Sequence, residues 1–224
     1  MTHFTIVTDL NRCVGCMGCN TACKTVNEVE IGNYRTRVLR MGPFPRFEGA
    51  NFPDVDWYYL PTQCQNCAEA PCVGVCPTGA TAVDENGVVQ IDTELCIGCQ
   101  SCMAACPYGA RYLKDAEQVV DKCNMCADLV AEGGMPQCVK ECVGLAKWFG
   151  DIDADPSMMS FVGGDEKTLG ETVVAFTDAD VYHLPDVGNA PTVAYILRGK
   201  EWQADKDFTV TQGGRGFGLP NEAL

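Results

Sequence analysis

The chain is poor in positive charge and in the residues that most enzymes use for chemistry. Lysine and arginine number 16 against 30 aspartates and glutamates, a formal charge of −14 over 224 residues. Such a surface repels nucleic acid and suits basic docking faces or plain solvation. There are only two histidines, His3 and His183; the first is expected to be exposed and the second to make a structural polar contact. No apolar run approaches the roughly 18 residues of a membrane span. The opening MTHFTIVTDLNRC has neither a basic leader nor a twin-arginine pair, so self-anchoring and self-directed export are not expected. No G-x-G-x-x-G follows a strand, no nucleophile stands with a base, and no carboxylate pair has a recognisable frame, so no catalytic residue is assigned.

Cysteine, by contrast, is abundant and ordered. All sixteen fall into four groups of four: Cys13, Cys16, Cys19 and Cys23; Cys64, Cys67, Cys72 and Cys76; Cys96, Cys99, Cys102 and Cys106; Cys123, Cys126, Cys138 and Cys142. Each group opens with C-x2-C and closes with x3-C. The middle step is two residues in the first and third groups, four in the second and eleven in the fourth, as in a repeated ligand module whose loops lengthen without moving the ligands. The third group, CIGCQSCMAACP, has the spacing of the ligand run of bacterial two-cluster ferredoxins. In such a run three thiolates wrap one cubane and the fourth reaches a second cluster. Groups two and three therefore pair with each other, and groups one and four pair by elimination.

Two other uses of cysteine fit less well. Disulfide scaffolds are usually short and secreted. Structural zinc takes two separated C-x2-C pairs and leaves no place for a third cysteine two residues further on. The crossing rule then predicts four [4Fe-4S] ligand sets: Cys13, Cys16, Cys19 and Cys142 (first); Cys23, Cys123, Cys126 and Cys138 (second); Cys64, Cys67, Cys72 and Cys106 (third); Cys76, Cys96, Cys99 and Cys102 (fourth).

The intervening stretches predict an α+β fold of two nested bacterial-ferredoxin-like modules. HFTIVTD reads as a strand, NTACKTVNE as a short helix, and YRTRVLR and VDWYYLP as an inserted hairpin. Asn86-Gly87 reads as a turn between two short strands, and a helix after Cys126 is expected to end at Gly133-Gly134. Lys24, where the second and third groups have proline, is expected to face water in preference to raising a nearby cluster's potential, and core packing is favoured over a partner-facing patch for the insertion's aromatics. The expected plan is a four-cluster domain over 1–150, with an inner module at about 55–115, an outer one at about 1–30 with 116–150, and an insertion at about 31–60. Residues 151–224 lack cysteine and read as a C-terminal strap or subunit-docking tail, whose removal before Val181 is expected to leave cluster content nearly intact and to weaken association with a partner subunit. The closing stretch TQGGRGFGLPNEAL reads as flexible.

With these motifs in place, the chain resembles the four-cluster iron-sulfur subunit of the dimethyl-sulfoxide-reductase family of molybdopterin oxidoreductases. The likeness lies in TDLNRCVGCMGCNTACK, PTQCQNCAEAPCVGVCPTGA, CIGCQSCMAACPYGAR and KCNMCADLVAEGGMPQCVKEC, and more weakly in LPDVGNAPTVAYIL. It implies an electron-transfer subunit with no active site of its own. Molybdopterin would sit only in a large partner subunit, and a membrane quinone-linked protein or soluble donor would complete the path. Some members replace a third-group cysteine and hold a three-iron cluster; this chain keeps Cys99. Cluster insertion is expected in the cytoplasm, with the protein staying there or crossing with a partner. A free-standing polyferredoxin carrier is the alternative, and a redox-sensing cluster protein a third reading.

Overall fold

The computed structural model describes residues 2–155, 160–161 and 179–204. In chain order its elements are β1 Phe4–Asp9, α1 Gly18–Val26, β2 Thr36–Pro45, β3 Val55–Gln63, α2 Pro71–Gly74, β4 Thr81–Val83, β5 Val89–Ile91, α3 Ser101–Ala104, β6 Tyr112–Leu113, β7 Val120–Asp121, α4 Ala127–Ala131, α5 Gln137–Lys140, β8 Lys147–Asp151, β9 Ser160–Phe161, β10 Val181–Tyr182 and β11 Ala194–Ile196. This is a mixed fold of small strands and short helices, as the cysteine loops require.

β1 is the run FTIVTD, whose β-branched side chains favour a strand, and it lies in the middle of a five-stranded sheet ordered β10-β11-β1-β8-β9. It runs antiparallel to β8, with Thr8 opposite Lys147, and parallel to β11, with Val7 opposite Ala194. Both faces of β1 are covered: Ile6 points into the main core, and Val7 packs on the other side with Trp148, Ala194 and Ile196. That two-sided burial is why Thr5, Thr8 and Asp9 are buried along with Ile6 and Val7, without the alternation of a half-exposed strand.

The pairing of β1 with β11 builds residues beyond 180 into the sheet of the cluster domain. Val193, Ala194, Tyr195 and Ile196 are completely buried. Thr192 donates through its hydroxyl to the backbone oxygens of Gln65 and Asn66, beside Cys64 and Cys67. No local pattern announced this, because the partner strand lies more than 180 residues away in sequence. The closing stretch 211–224 lies outside the described residues.

β2 and β3 form a long antiparallel hairpin, with Thr36 opposite Gln63 and a register shift between Met41 and Phe44. Its aromatics divide. Tyr58 is buried and stacks toward Trp202, with ring centroids 6.4 Å apart, while Phe47, Phe52 and Trp57 are exposed. Core packing therefore accounts for only part of that group.

Short-range signals are realised at two turns. Gly87, at φ +72°, turns β4 into β5 with Val83 opposite Val89. α4 ends in a Schellman motif: Gly133, at φ +81°, donates to Val130 O, and Gly134 donates to Leu129 O. Two helix contacts bring the cysteine loops together. α1, carrying Cys19 and Cys23, packs on α5 with Cys138, and α2, carrying Cys72, packs on α3 with Cys102. Among the described residues, no helix is long and apolar enough to cross a membrane.

Candidate metal centres

The four C-x2-C pairs share one backbone device. The residue before the second cysteine lies in the left-handed region in every case: Gly15 at φ +67°, Asn66 at +51°, Gly98 at +65° and Met125 at +55°. Left-handed residues in tight loops turn backbone N–H groups into concavities that accept anionic groups, iron-sulfur sites among them. Glycine serves two of these positions for a second reason. A Cβ at Gly98 would lie 2.2 Å from Gln118 O, and one at Gly15 would lie 2.7 Å from the Tyr59 ring. Asparagine tolerates the conformation, whereas Met125 adopts it against its steric preference and is followed by Cys126 at φ +53°. Backbone amides then reach the sulfurs: Val120 N donates to Cys96 Sγ at 3.4 Å, Ala146 N to Cys142 Sγ at 3.3 Å, and Gly18 N to Cys16 Sγ at 3.5 Å.

The side chains gather as follows. Cys13, Cys16, Cys19 and Cys142 line one cavity, together with Thr8 and Lys147. Cys76, Cys96, Cys99 and Cys102 line another, with Thr81 and Val120. Cys67 has Cys64, Cys106 and Cys72 as interacting neighbours. Cys23 has Cys123 and Cys126, with the Asn27 amide 3.6 Å from Cys23 Sγ and 3.8 Å from Cys126 Sγ. Cys138 interacts with Cys123 and Cys23. Between groupings, Cys138 also interacts with Cys19, and Cys123 with Cys64.

Burial dominates the thiol electrostatics. It pushes Cys23 and Cys67 up to about 12, and it raises Cys13, Cys19, Cys72, Cys106, Cys123 and Cys138. Buried thiols of this kind ionise only when a positive charge compensates the lost solvation. At Cys76 desolvation, the largest single effect, is outweighed by the sum of hydrogen bonds from the Thr78 hydroxyl and the Thr81, Thr78 and Ala80 amides, which bring it down to about 7. Exposed Cys99 is lowered by the Ser101 amide and hydroxyl.

Several polar side chains aim at these sulfurs. Arg111 Nη2 donates to Cys72 Sγ at 2.9 Å and Nη1 to Thr81 Oγ1 at 3.3 Å. Asn189 Nδ2 donates to Cys67 Sγ at 2.9 Å and to the Tyr108 hydroxyl at 2.8 Å. Burial tends to lower the Lys147 ammonium, but Cys138, Cys19, Cys142 and Cys13 together raise it. Sequence reading passed over all three residues, although Arg111 and Lys147 each stand five places after the last cysteine of a group. The other polar candidates stand apart. His3 pairs with Asp153, and His183 Nδ1 lies 2.9 Å from Val193 O. Lys24 corrects its expectation: Nζ donates to Glu30 O at 2.9 Å and covers the Tyr34 ring at 4.4 Å, so it is not simply turned to water.

The donor set fits clusters better than single ions. A zinc tetrahedron brings four ligands to about 2.0–2.3 Å of one point. Among the described residues no three His, Cys, Asp or Glu side chains converge in that way; the thiols stand around cavities. The Gln63 carboxamide and Gln65 Oε1, beside Cys64, are buried and have no hydrogen-bond partner among the described residues, as suits a polar group bound there.

Comparison with known proteins agrees with this chemistry. Residues 55–152 match the model of a 4Fe-4S dicluster domain. The sequence is 43% identical to the thiosulfate reductase electron transfer subunit PhsB of Salmonella typhi, over 74% of this protein and 86% of that one. It is 38% identical to a component of the polysulfide reductase of Wolinella succinogenes, covering 81% and 93%. With a component of the sulfite dehydrogenase of Allochromatium vinosum it shares 34% identity, covering 89% and 85%.

Proposed function

Because the protein belongs to the family of iron-sulfur electron-transfer subunits of dimethyl-sulfoxide-reductase-type molybdopterin oxidoreductases, we propose that it is the electron wire of such a complex. It carries single electrons between a large molybdenum or tungsten bis-pterin subunit and a quinone-linked or soluble redox partner. Four [4Fe-4S] clusters are held by the four thiol sets defined above, each supplying a one-electron couple when bound. The protein's own part is to hold, bury and hydrogen-bond the sulfurs, and substrate chemistry belongs to the large subunit.

The observation that carries this reading is the mixed membership of the thiol groupings. Cys106 stands with Cys64, Cys67 and Cys72, and Cys76 stands with Cys96, Cys99 and Cys102, as crossed ligands of paired runs would. The packing of α1 on α5 and of α2 on α3 supports the nested plan: an inner module at about 55–115, an outer one at about 1–30 with 116–150, and the hairpin inserted between. Residues 151–224 would then serve as a strap that ties into the outer module's sheet. Contacts from Cys19 to Cys138 and from Cys123 to Cys64, together with Arg111 between Cys72 and Cys102, support a linear order of first, second, third and fourth sets. The two exposed thiols, Cys16 and Cys99, belong to the two ends of that line.

Two experiments test the reading. Native purification of the tagged protein is expected to bring down a larger pterin-containing subunit in equal amount; recovery of a lone, electron-carrying monomer would favour a diffusible polyferredoxin instead. Cys106→Ser is expected to alter the spectrum of one cluster, that held by Cys64, Cys67 and Cys72, and to leave the cluster of Cys96, Cys99 and Cys102 unchanged. The reverse pattern would sink the crossed assignment.

A further inference from the structure

Among the described residues three cations are buried: Arg111, Lys122 and Lys147. Lys122 is held by two backbone carbonyls, those of Val89 and Cys123, and acts on the Cys123 thiol alone among the thiols that burial raises. The other two face sulfur, and neither forms an ion pair with a carboxylate among the described residues. Burying a charge costs several kcal/mol unless an opposite charge compensates it, so the counter-charge of Arg111 and Lys147 must come from the thiolates and what they hold.

Their positions are equivalent. Arg111 ends CPYGAR and Lys147 ends CVGLAK, each five residues after the closing cysteine of the third and fourth groups. The corresponding residues of the second and first groups are Thr81 and Glu28. Each cation uses a threonine hydroxyl as a second anchor: Arg111 Nη1 donates to Thr81 Oγ1 at 3.3 Å, and Lys147 Nζ donates to Thr8 Oγ1 at 3.2 Å. Each also stands between two thiol sets. Arg111 bonds Cys72 of the third set and Cys102 of the fourth. Lys147 lines the cavity of the first set and faces Cys138 of the second.

A buried cation at the same place in the repeat, lying between the two sets of each pair, suits a shared electrostatic task. A cluster that accepts an electron becomes more negative and repels the charge of its neighbour, and inside a protein that repulsion is weakly screened. We infer that Arg111 and Lys147 are potential-setting residues, each raising the reduction potentials of the two clusters it lies between and so offsetting part of the cost of adding an electron to either. The inference rests on the four-cluster reading, which fails separately, at the iron count of the unsubstituted protein.

The test uses the full-length, anaerobically purified protein and redox titration followed by electron paramagnetic resonance. Arg111→Gln should keep its iron and lower the one-electron reduction equilibrium constants of two of the four clusters about tenfold, or 59 mV each. Lys147→Gln should lower the other two, and the charge-conserving Arg111→Lys and Lys147→Arg should titrate close to the parent. A shift confined to one cluster, an equal shift of all four, or no shift overturns the inference. So does a conservative variant that shifts as far as the glutamine one, since packing would then explain the effect. Loss of iron from a glutamine variant also overturns it, because the charge would then be needed for assembly and not for setting a potential.

Discussion

Anaerobically purified protein is expected to contain about 16 iron and 16 acid-labile sulfide per polypeptide, with broad visible absorption that bleaches on reduction, the amount four cubanes require. The expectation uses every cysteine of the protein. Four groups of four leave no thiol over, and each C-x2-C pair passes through a left-handed residue that shapes the loop for an anionic group. Eight buried or half-buried thiols are pushed toward the protonated form by burial, so the protein without its metal holds them as neutral thiols and not as ligands. Loading reverses that, because iron supplies the charge that burial withholds. Metal analysis showing mainly zinc, with a colourless protein that does not respond to reductant, would end the iron-sulfur reading. A count near half the expected value would restrict it to one pair of sets.

A polypeptide ending at Asp180 is expected to lose soluble, cluster-bearing protein almost entirely. Truncation there removes β10 and β11, and with them one of the two strands that flank β1. Val193, Tyr195, Ile196 and Leu197 are each at most 1% exposed. At roughly 1.5–3 kcal/mol for each large apolar side chain, their loss is comparable with the ~5–15 kcal/mol that holds a typical domain together. The cut also removes Asn189, the donor to Cys67 Sγ, and Thr192, which holds the Gln65 and Asn66 carbonyls in the loop between Cys64 and Cys67. Expression of the truncated and full-length forms side by side, with iron per soluble protein as the readout, decides the matter. A soluble truncated form with its iron intact would mean that β11 only covers the sheet and does not hold the third set.

Sequence was informative wherever a short stretch carried its own chemistry. Cysteine spacing marks the ligand loops, FTIVTD marks β1, Asn86-Gly87 marks the turn into β5, and Gly133-Gly134 marks the end of α4. It was silent where the structure depends on distant partners. Nothing near Ala194 names Val7 as its neighbour, and no composition rule separates buried Tyr58 from exposed Trp57 in the hairpin. The cations were missed for a different reason. Arg111 and Lys147 look like ordinary solvated charges until the four groups are aligned on their last cysteines, when both fall on one position. Met125 has no local signal, since its left-handed backbone is imposed by the loop and not favoured by the side chain.

The place of β1 in the sheet also sets the order in which the protein can be completed. Its two neighbours, β8 and β11, are translated long after it, and β11 follows by more than 180 residues. At ~5–20 residues per second this is a wait of roughly 10 to 40 s on the ribosome. Until β8 is made both hydrogen-bonding edges of β1 stand open, the β11 edge stays open for the whole interval, and Cys13, Cys16 and Cys19 have no Cys142 to join them until most of the delay has passed. Pairings over such sequence separations are slow to form and leave unpaired strand edges exposed in the meantime. The strand made earliest is thus finished among the last, and the nascent polypeptide's greatest exposure to oxygen and to aggregation falls on its N-terminal thiols.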